Sequence, residues 1–309
     1  MFATPQNKTK LFEDTGDWRT LLLAMFCHLA FISLLFDWFE LPLWLSILCL
    51  VPLITLYSSL SHEIIHGHPF RFQWLNDLLV LVPYGLIVPY YRFKDTHLAH
   101  HNDVNICDPY EDPESWYQAT EIWEQRSSFS QAVFNFNNTL VGRMLLGPLI
   151  GMTGLVKCDF KRVLNGDFNI AGKWVLHIGT TIILLLVVRY YGGIPLWGFW
   201  LAAYAGMSLL MVRTFLEHQA HEKVRGRSVI IENSRIFGFL FLNNSFHAVH
   251  HVYPSYSWYR LPKLFRENRT RFLAMNDDYS FSNYFEIFRQ FSFKAKEPVP
   301  LPEKMALKK

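Results

Sequence analysis

Four apolar runs, grouped in two pairs, constrain this chain more than any other feature. Residues 20–36 (TLLLAMFCHLAFISLLF) are almost uninterrupted hydrocarbon, and after a short acidic break, Asp37 to Glu40, a second run fills residues 41–60. A second pair occupies residues 173–190 and 194–212, joined across Tyr191-Gly192-Gly193, a turn signal. Each run approaches the roughly 20 residues that a membrane-crossing helix needs. Breaks this short permit only hairpins, so each second run returns to the side from which its partner started. The expected fold is all-α and embedded in a membrane: one domain over residues 1–309, with four spans in two transmembrane hairpins. Two weaker apolar stretches, 75–91 and 139–156, are broken by Pro and Gly and read as interfacial or re-entrant segments.

The charges that flank the runs set an orientation. Lys8, Lys10 and Arg19 precede the first run; Lys157, Lys161, Arg162 and Lys173 precede the third; Arg213, Lys223, Arg225 and Arg227 follow the fourth. The hairpin tips carry little positive charge apart from Arg189. Both termini and the long segments 61–172 and 213–309 are therefore expected in the cytoplasm, forming a helical cap, with residues 280–309 a surface helix and solvated tail. No signal peptide is read at the start, where residues 1–18 are polar. A net charge of +3 without a basic, aromatic-interleaved run gives no reason to expect nucleic acid. The four cysteines lack CxxC spacing and read as packing residues.

Of thirteen histidines, all but His28 and His177 fall in the segments expected on the cytoplasmic side, and they come in groups. His62, His66 and His68 sit in SHEIIHGHP; His97, His100 and His101 form HLAHH; His218 and His221 lie in EHQAHE; His247, His250 and His251 form HAVHH. Residues three or four apart share a helix face, with roughly 5–6 Å between Cβ atoms, so each group can aim two or three imidazoles at a common point. Groups placed at or just beyond the span ends would meet at one depth. A single zinc site takes four ligands, whereas nine or ten imidazoles suit two ions. Imidazole accepts iron, copper, nickel or zinc, and iron is favoured because oxygen activation fits the setting. His68 stays outside the set because Gly67 and Pro69 end the helix. His28 and His177, isolated in mid-span, read as packed or hydrogen-bonded core residues rather than haem ligands. Asp103, Asp108, Glu111 and Asp112 read as solvated or hydrogen-bonded carboxylates around the cap, with direct ligation the lesser reading. Arg71, Arg92 and Lys94 read as membrane-edge charges or partners of an anionic head group.

HEIIH at 62–66, HLAHH at 97–101 and HAVHH at 247–251 resemble, in order, spacing and placement beside two hairpins, the three histidine boxes of the membrane fatty acid desaturase family. The resemblance covers about residues 20–270. It implies two ferrous iron ions, molecular oxygen as co-substrate, and electrons from a separate carrier of ferredoxin, rubredoxin or cytochrome b5 type. Carried over residue by residue, it nominates His62, His66, His97, His100, His101, His247, His250 and His251 as metal ligands. RTFLEH at 213–218 is similar to the family's further ligand segment and nominates His218, with His221 as the alternative. Glu217, Asn243 and Asn244 become candidates for orienting those imidazoles. Three residues between the histidines of the first box, and His247 opening the third, differ from some branches of the family. The stretch NICDPYEDPESWY is similar to alkane hydroxylases as well as bacterial desaturases.

Three functions compete on these residues. The first is insertion of a double bond into a long acyl chain of a lipid; hydroxylation or ketolation of an alkyl, acyl or carotenoid substrate would use the same site. The second is a membrane zinc protease, because HEIIH also satisfies HExxH with Glu63 as general base; it leaves the other three histidine groups unexplained. The third is a metal transporter or sensor, disfavoured because such sites lie near the bilayer midplane. The expected location is a bacterial inner membrane.

Overall fold

A computed structural model describes residues 17–103 and 105–302 of the chain. Lys8, Lys10, the polar leader before Asp17 and the tail from residue 303 onward lie outside the described residues. Helix α1 (Trp18–Leu35) starts where the Asp17 carboxylate accepts from the Thr20 amide at 3.2 Å. The chain then reverses through Asp37 and Glu40, both in the left-handed region with φ of 54° and 48°, and the Asp37 side chain accepts from Leu41 N. Asx-type capping of this kind closes a hairpin without glycine. Helix α2 (Leu43–Ile65) returns and carries HEIIH in its last turns.

Short helices follow: α3 (Gln73–Leu78), α4 (Tyr90–Asn102), α5 (Thr120–Glu124) and α6 (Ser128–Asn137). Then come the long helices α7 (Leu140–Leu164), α8 (Phe168–Tyr191) and α9 (Leu196–Thr214). The cap is completed by strand β1 (Ile230–Asn233), α10 (Arg235–Leu240), α11 (His247–Val252), α12 (Leu261–Glu267), α13 (Arg269–Met275), strand β2 (Ser280–Asn283) and α14 (Tyr284–Phe291). β1 and β2 pair in parallel, Ile230 opposite Ser280. This small sheet is the one departure from an all-α chain among the described residues.

Among the described residues, five helices, α1, α2, α7, α8 and α9, are long and apolar enough to cross a membrane. The 139–156 stretch, whose apolar run Pro and Gly interrupt, lies in a continuous 25-residue helix that holds Pro148 inside it. Thr139 caps its start by accepting from Gly142 N. The bundle's centre is α2 against α9. A Cβ on Gly206 would come within 2.8 Å of Ile54, and Thr55 donates across to the Gly206 carbonyl at 2.8 Å. In lipid, where burial itself supplies little drive, such close approach and interhelical hydrogen bonding hold helices together.

The 79–89 stretch is irregular backbone between helices, which apolar surroundings tolerate only where its polar groups find partners. Three spans supply them. His28 Nε2 meets the Leu79 carbonyl at 2.8 Å, Tyr57 donates to Val82 at 2.9 Å, and His177 Nε2 meets Leu86 at 3.1 Å. Both mid-span histidines are thus hydrogen-bonded packing residues. Arg92 is buried against Asp159 of α7 at 2.7 Å, and Lys94 pairs with Asp77.

Candidate metal centre

Each histidine group owes its aim to helix geometry. His62 and His66, four apart at the end of α2, share one face; His97, His100 and His101 occupy the last two turns of α4. His247, His250 and His251 lie on α11, whose short length follows from the turn at Asn243 (φ 55°) before it and the non-helical backbone at Tyr253 (φ −132°) that ends it. His218 follows α9 directly, held by a bridge to Ser228.

The structure gathers these nine into two clusters. His62, His66, His97, His101 and His250 form one; His100, His218, His247 and His251 form the other; within each, one ligand atom per residue lies within 4.8 Å of all the rest. The second and third boxes contribute to both clusters, α4 and α11 dividing their histidines between the two, whereas His62 and His66 both belong to the first. Nε2 separations are 3.0 Å for His66–His97, 3.2 Å for His101–His250, 2.9 Å for His100–His218, 3.0 Å for His218–His247 and 3.1 Å for His247–His251. Metal–nitrogen bonds of roughly 2.1 Å, set near right angles, place ligand atoms about 3 Å apart. Neutral imidazoles can satisfy one another only in donor–acceptor pairs, so three or more converging nitrogens leave lone pairs facing lone pairs. His62 Nε2 is buried with no hydrogen-bond partner. The residues fit two metal ions.

The opposite nitrogens are held from outside. His97 Nδ1 lies 3.1 Å from Glu114, His100 Nδ1 2.8 Å from Asp112, His218 Nδ1 3.3 Å from Ser228 Oγ, and His247 Nδ1 3.1 Å from Asn244 Oδ1. A partner that accepts from Nδ1–H fixes the tautomer with the Nε2 lone pair directed inward and raises its basicity. Asn244 in turn donates to Glu217 at 2.5 Å, and Arg213 lies 2.9 Å from the same carboxylate. Burial lifts the Glu217 carboxyl above its usual range against the pull of Arg213. Burial holds His97, His218, His247, His250 and His251 below the ordinary histidine range, and His101 down to about 2, which keeps them in the neutral form a metal requires. His100 differs. Burial pushes it down, but the hydrogen bond to Asp112 prevails and raises it to about 9.

The other candidate residues lie around the two clusters or away from them. His221 stays outside both clusters: its Nδ1 faces Lys223 and its Nε2 lies 3.5 Å from Asp277, because the chain turns away from α9 after His218. Asn243 touches no histidine; its side chain donates to the Trp258 carbonyl, and its left-handed backbone turns the chain into α11. Asp103 and Asp108 accept from backbone amides of their own turns, and Glu111 from Asn105. Glu114 and Ser228 were not legible as imidazole partners; the acidic stretch after the second box was the only signal near Glu114. His68 sits between Asp17 (3.1 Å) and Glu63 (3.7 Å), apart from the clusters.

A cavity of about 940 Å³ adjoins the second cluster, lined there by Asp112, Glu114, Glu217 and His218 and farther away by apolar side chains of α7, α8, α9 and the 80–86 segment. No curated protein matches this chain. The family of fatty acid desaturases matches it over residues 36–282, a range that contains all four histidine groups. With nine histidines sorted into two metal-competent clusters at the ends of apolar helices, and that match across most of its length, the chain belongs to the fatty acid desaturase family.

Proposed function

We propose that this protein is a di-iron, oxygen-dependent membrane oxidoreductase that inserts a double bond into the long acyl chain of a lipid. The observation that carries the reading is the division of nine inward-facing imidazoles into sets of five and four beside a largely apolar cavity. With iron bound, the pair supplies reductive activation of oxygen; overall, CH₂–CH₂ plus O₂, two electrons and two protons become CH=CH plus two waters. The electrons come from a separate ferredoxin, rubredoxin or cytochrome b5-type donor. The chain's own residues do the positioning. Asp112, Glu114, Ser228 and Asn244 hold the imidazoles, and the apolar wall excludes water and fixes the acyl chain in register, where small misplacements are costly.

The four-span arrangement is part of this proposal. Near its start, α7 is tied to Ser292 through Val141 N and approaches Phe215, just past α9; near its end, Asp159 accepts from Trp174 close to the start of α8. Because α8 and α9 form a hairpin, both ends of α7 face one side, which suits a helix lying along the membrane surface. That side carries Lys157, Lys161, Arg162 and Lys173 and is assigned to the cytoplasm of a bacterial inner membrane.

Hydroxylation of the same carbon would use every one of these ligands and is the second reading. The protease reading loses support because Glu63 faces Trp258 N at 2.9 Å and His68, not the cluster that contains His62 and His66. The test is gas chromatography–mass spectrometry of lipids from cells expressing the chain beside its His250→Ala/His251→Ala variant. A new unsaturated acyl chain in the first alone supports desaturation; a new hydroxylated one moves the function to the hydroxylase branch.

A further inference from the structure

Among the described residues, Arg143 is the buried arginine held by no more than a single backbone carbonyl. Arg92 faces Asp159, Arg213 faces Glu217, and Arg227 donates to the carbonyls of His221 and Ile106. Arg143, 4% exposed in the first turns of α7, has no carboxylate within 4.0 Å among the described residues. Its Nε donates to the Asn137 carbonyl at 3.1 Å. Its two terminal nitrogens donate to no described residue, yet they are not sealed off, and the side chain lines the cavity. Glu297 acts on this guanidinium from beyond salt-bridge distance, and a buried guanidinium without a direct ion pair is costly unless something completes its hydrogen bonds.

The position is built rather than accidental. The guanidinium stacks 3.8 Å from the ring of Trp116 and 5.7 Å from Phe215. A Cβ on Gly147 would come within 2.9 Å of Arg143 Cδ, so the glycine one turn along leaves room for the arginine stem. Trp116 is two residues past Glu114, the partner of His97, and Phe215 is three before His218. The arginine is therefore anchored to the two segments that hold the metal cluster, with the cavity's apolar length beyond it. A planar guanidinium whose two terminal NH₂ groups lack a partner among the described residues matches a carbonyl or carboxylate oxygen in geometry and charge.

We propose that Arg143 binds the acyl oxygen of the substrate, so that the cavity selects carboxylic acids and their esters or thioesters over plain hydrocarbons. This rests on the acyl-lipid reading above and adds the group that recognises the polar end. The test uses the full chain, loaded with iron and held in nanodiscs, and measures binding of radiolabelled palmitate with methyl palmitate and hexadecane as competitors at matched mole fraction. Palmitate is expected to bind, hexadecane to compete poorly, and Arg143→Gln to weaken palmitate binding about tenfold to a hundredfold with iron content unchanged. Competition by methyl palmitate as strong as by palmitate assigns the contact to the carbonyl; weak competition by the ester assigns it to the carboxylate. Equal binding by wild type and Arg143→Gln overturns the role of Arg143 and leaves the acyl reading standing. Hexadecane competing as well as palmitate overturns it without recourse to a variant. If the iron-loaded wild type binds neither acyl probe, the acyl reading falls and the Arg143 contact with it.

Discussion

The Asp112 carboxylate lies 2.8 Å from Nδ1 of His100, and both side chains are almost sealed from solvent, at 2% and 1% exposure. The same carboxylate also accepts from Cys107 N and Glu114 N, so one residue shapes the loop after α4 and orients an imidazole of the four-histidine cluster. Removing such an orienting partner typically costs 10–100-fold in metal affinity. Asp112→Ala is expected to lower affinity at that cluster by about this factor and to leave the five-histidine cluster filled. Chelator titration followed by metal analysis should then show one site emptying well before the other. Asp112→Asn keeps an acceptor oxygen and is expected to fall between alanine and wild type. Simultaneous loss of both metals in the alanine variant would mean that the loop, not the hydrogen bond, is what the residue maintains.

His218 and His221 are three residues apart in the sequence and belong to different environments in the fold. His218 Nε2 is within 3.0 Å of both His100 and His247, whereas His221 faces Lys223 and Asp277. Alanine at His97, His100, His218, His250 or His251 is expected to abolish turnover and lower the metal content, with membrane insertion intact. His221→Ala should keep two metals per chain and most of its activity. Metal analysis of the purified variants checks both expectations, and a His221→Ala protein that loses a metal would contradict the division drawn here.

The histidine groups were readable because helical periodicity alone decides which residues share a face, and spacing survives without knowledge of the fold. Their division into five and four was not readable. It depends on how α4 and α11 cross, which brings His101 to His66 and His250 while its neighbour His100 meets His218. Glu114 and Ser228 were hidden for the same reason: they reach their imidazoles from loops 17 and 10 residues away, with no periodic signal. The continuity of the helix over the 139–156 stretch was hidden by its Pro and Gly. Glycines cost helix propensity in water, but between packed helices they permit close approach, as Gly147 does beside Met211. Asn243 looked like an imidazole partner from its position before the third box; its left-handed backbone points the side chain to Trp258 instead.

His28 and His177 support the irregular 79–89 segment from opposite spans, through the carbonyls of Leu79 and Leu86. Replacement by alanine leaves a carbonyl unsatisfied in an apolar setting, at a cost of about 1–3 kcal/mol each. His28→Ala and His177→Ala are expected to lower the midpoint of thermal unfolding while keeping both metals and no less than a sizeable part of the activity. The double variant should lose roughly the sum, since the two side chains cap different carbonyls. Loss of turnover in either single variant with unchanged thermal stability would require a chemical role that the hydrogen bonds do not provide.

Acidification should destabilise the metal-free chain through its cluster histidines, and the sign follows from their environment. Burial depresses His97, His218, His247, His250 and His251, and takes His101 from 6.5 to about 2. As pH falls below 6.5 the unfolded chain takes up protons that the folded chain refuses, so unfolding becomes easier. Their contribution is complete above about pH 6.5 and is lost as pH falls toward the folded values. His100 runs the other way: raised to about 9 by Asp112, it stabilises the fold fully below 6.5, and that contribution is lost as pH rises through about 9. The metal-free protein should therefore be most resistant to heat near neutral pH, with thermal midpoints falling from about pH 6.5 to 5 and again, more gently, toward about pH 9. Asp112→Asn removes the charge that raises His100 and is expected to flatten the alkaline side while sparing the acid side. Bound metal steepens the acid side, since each ligand must stay deprotonated. Thermal scans of the full chain in detergent across this range, with and without iron, check the pattern. A midpoint that holds steady or rises between about pH 7 and 5 would mean that the buried imidazoles other than His100 are already protonated in the fold, against the depression that their burial imposes.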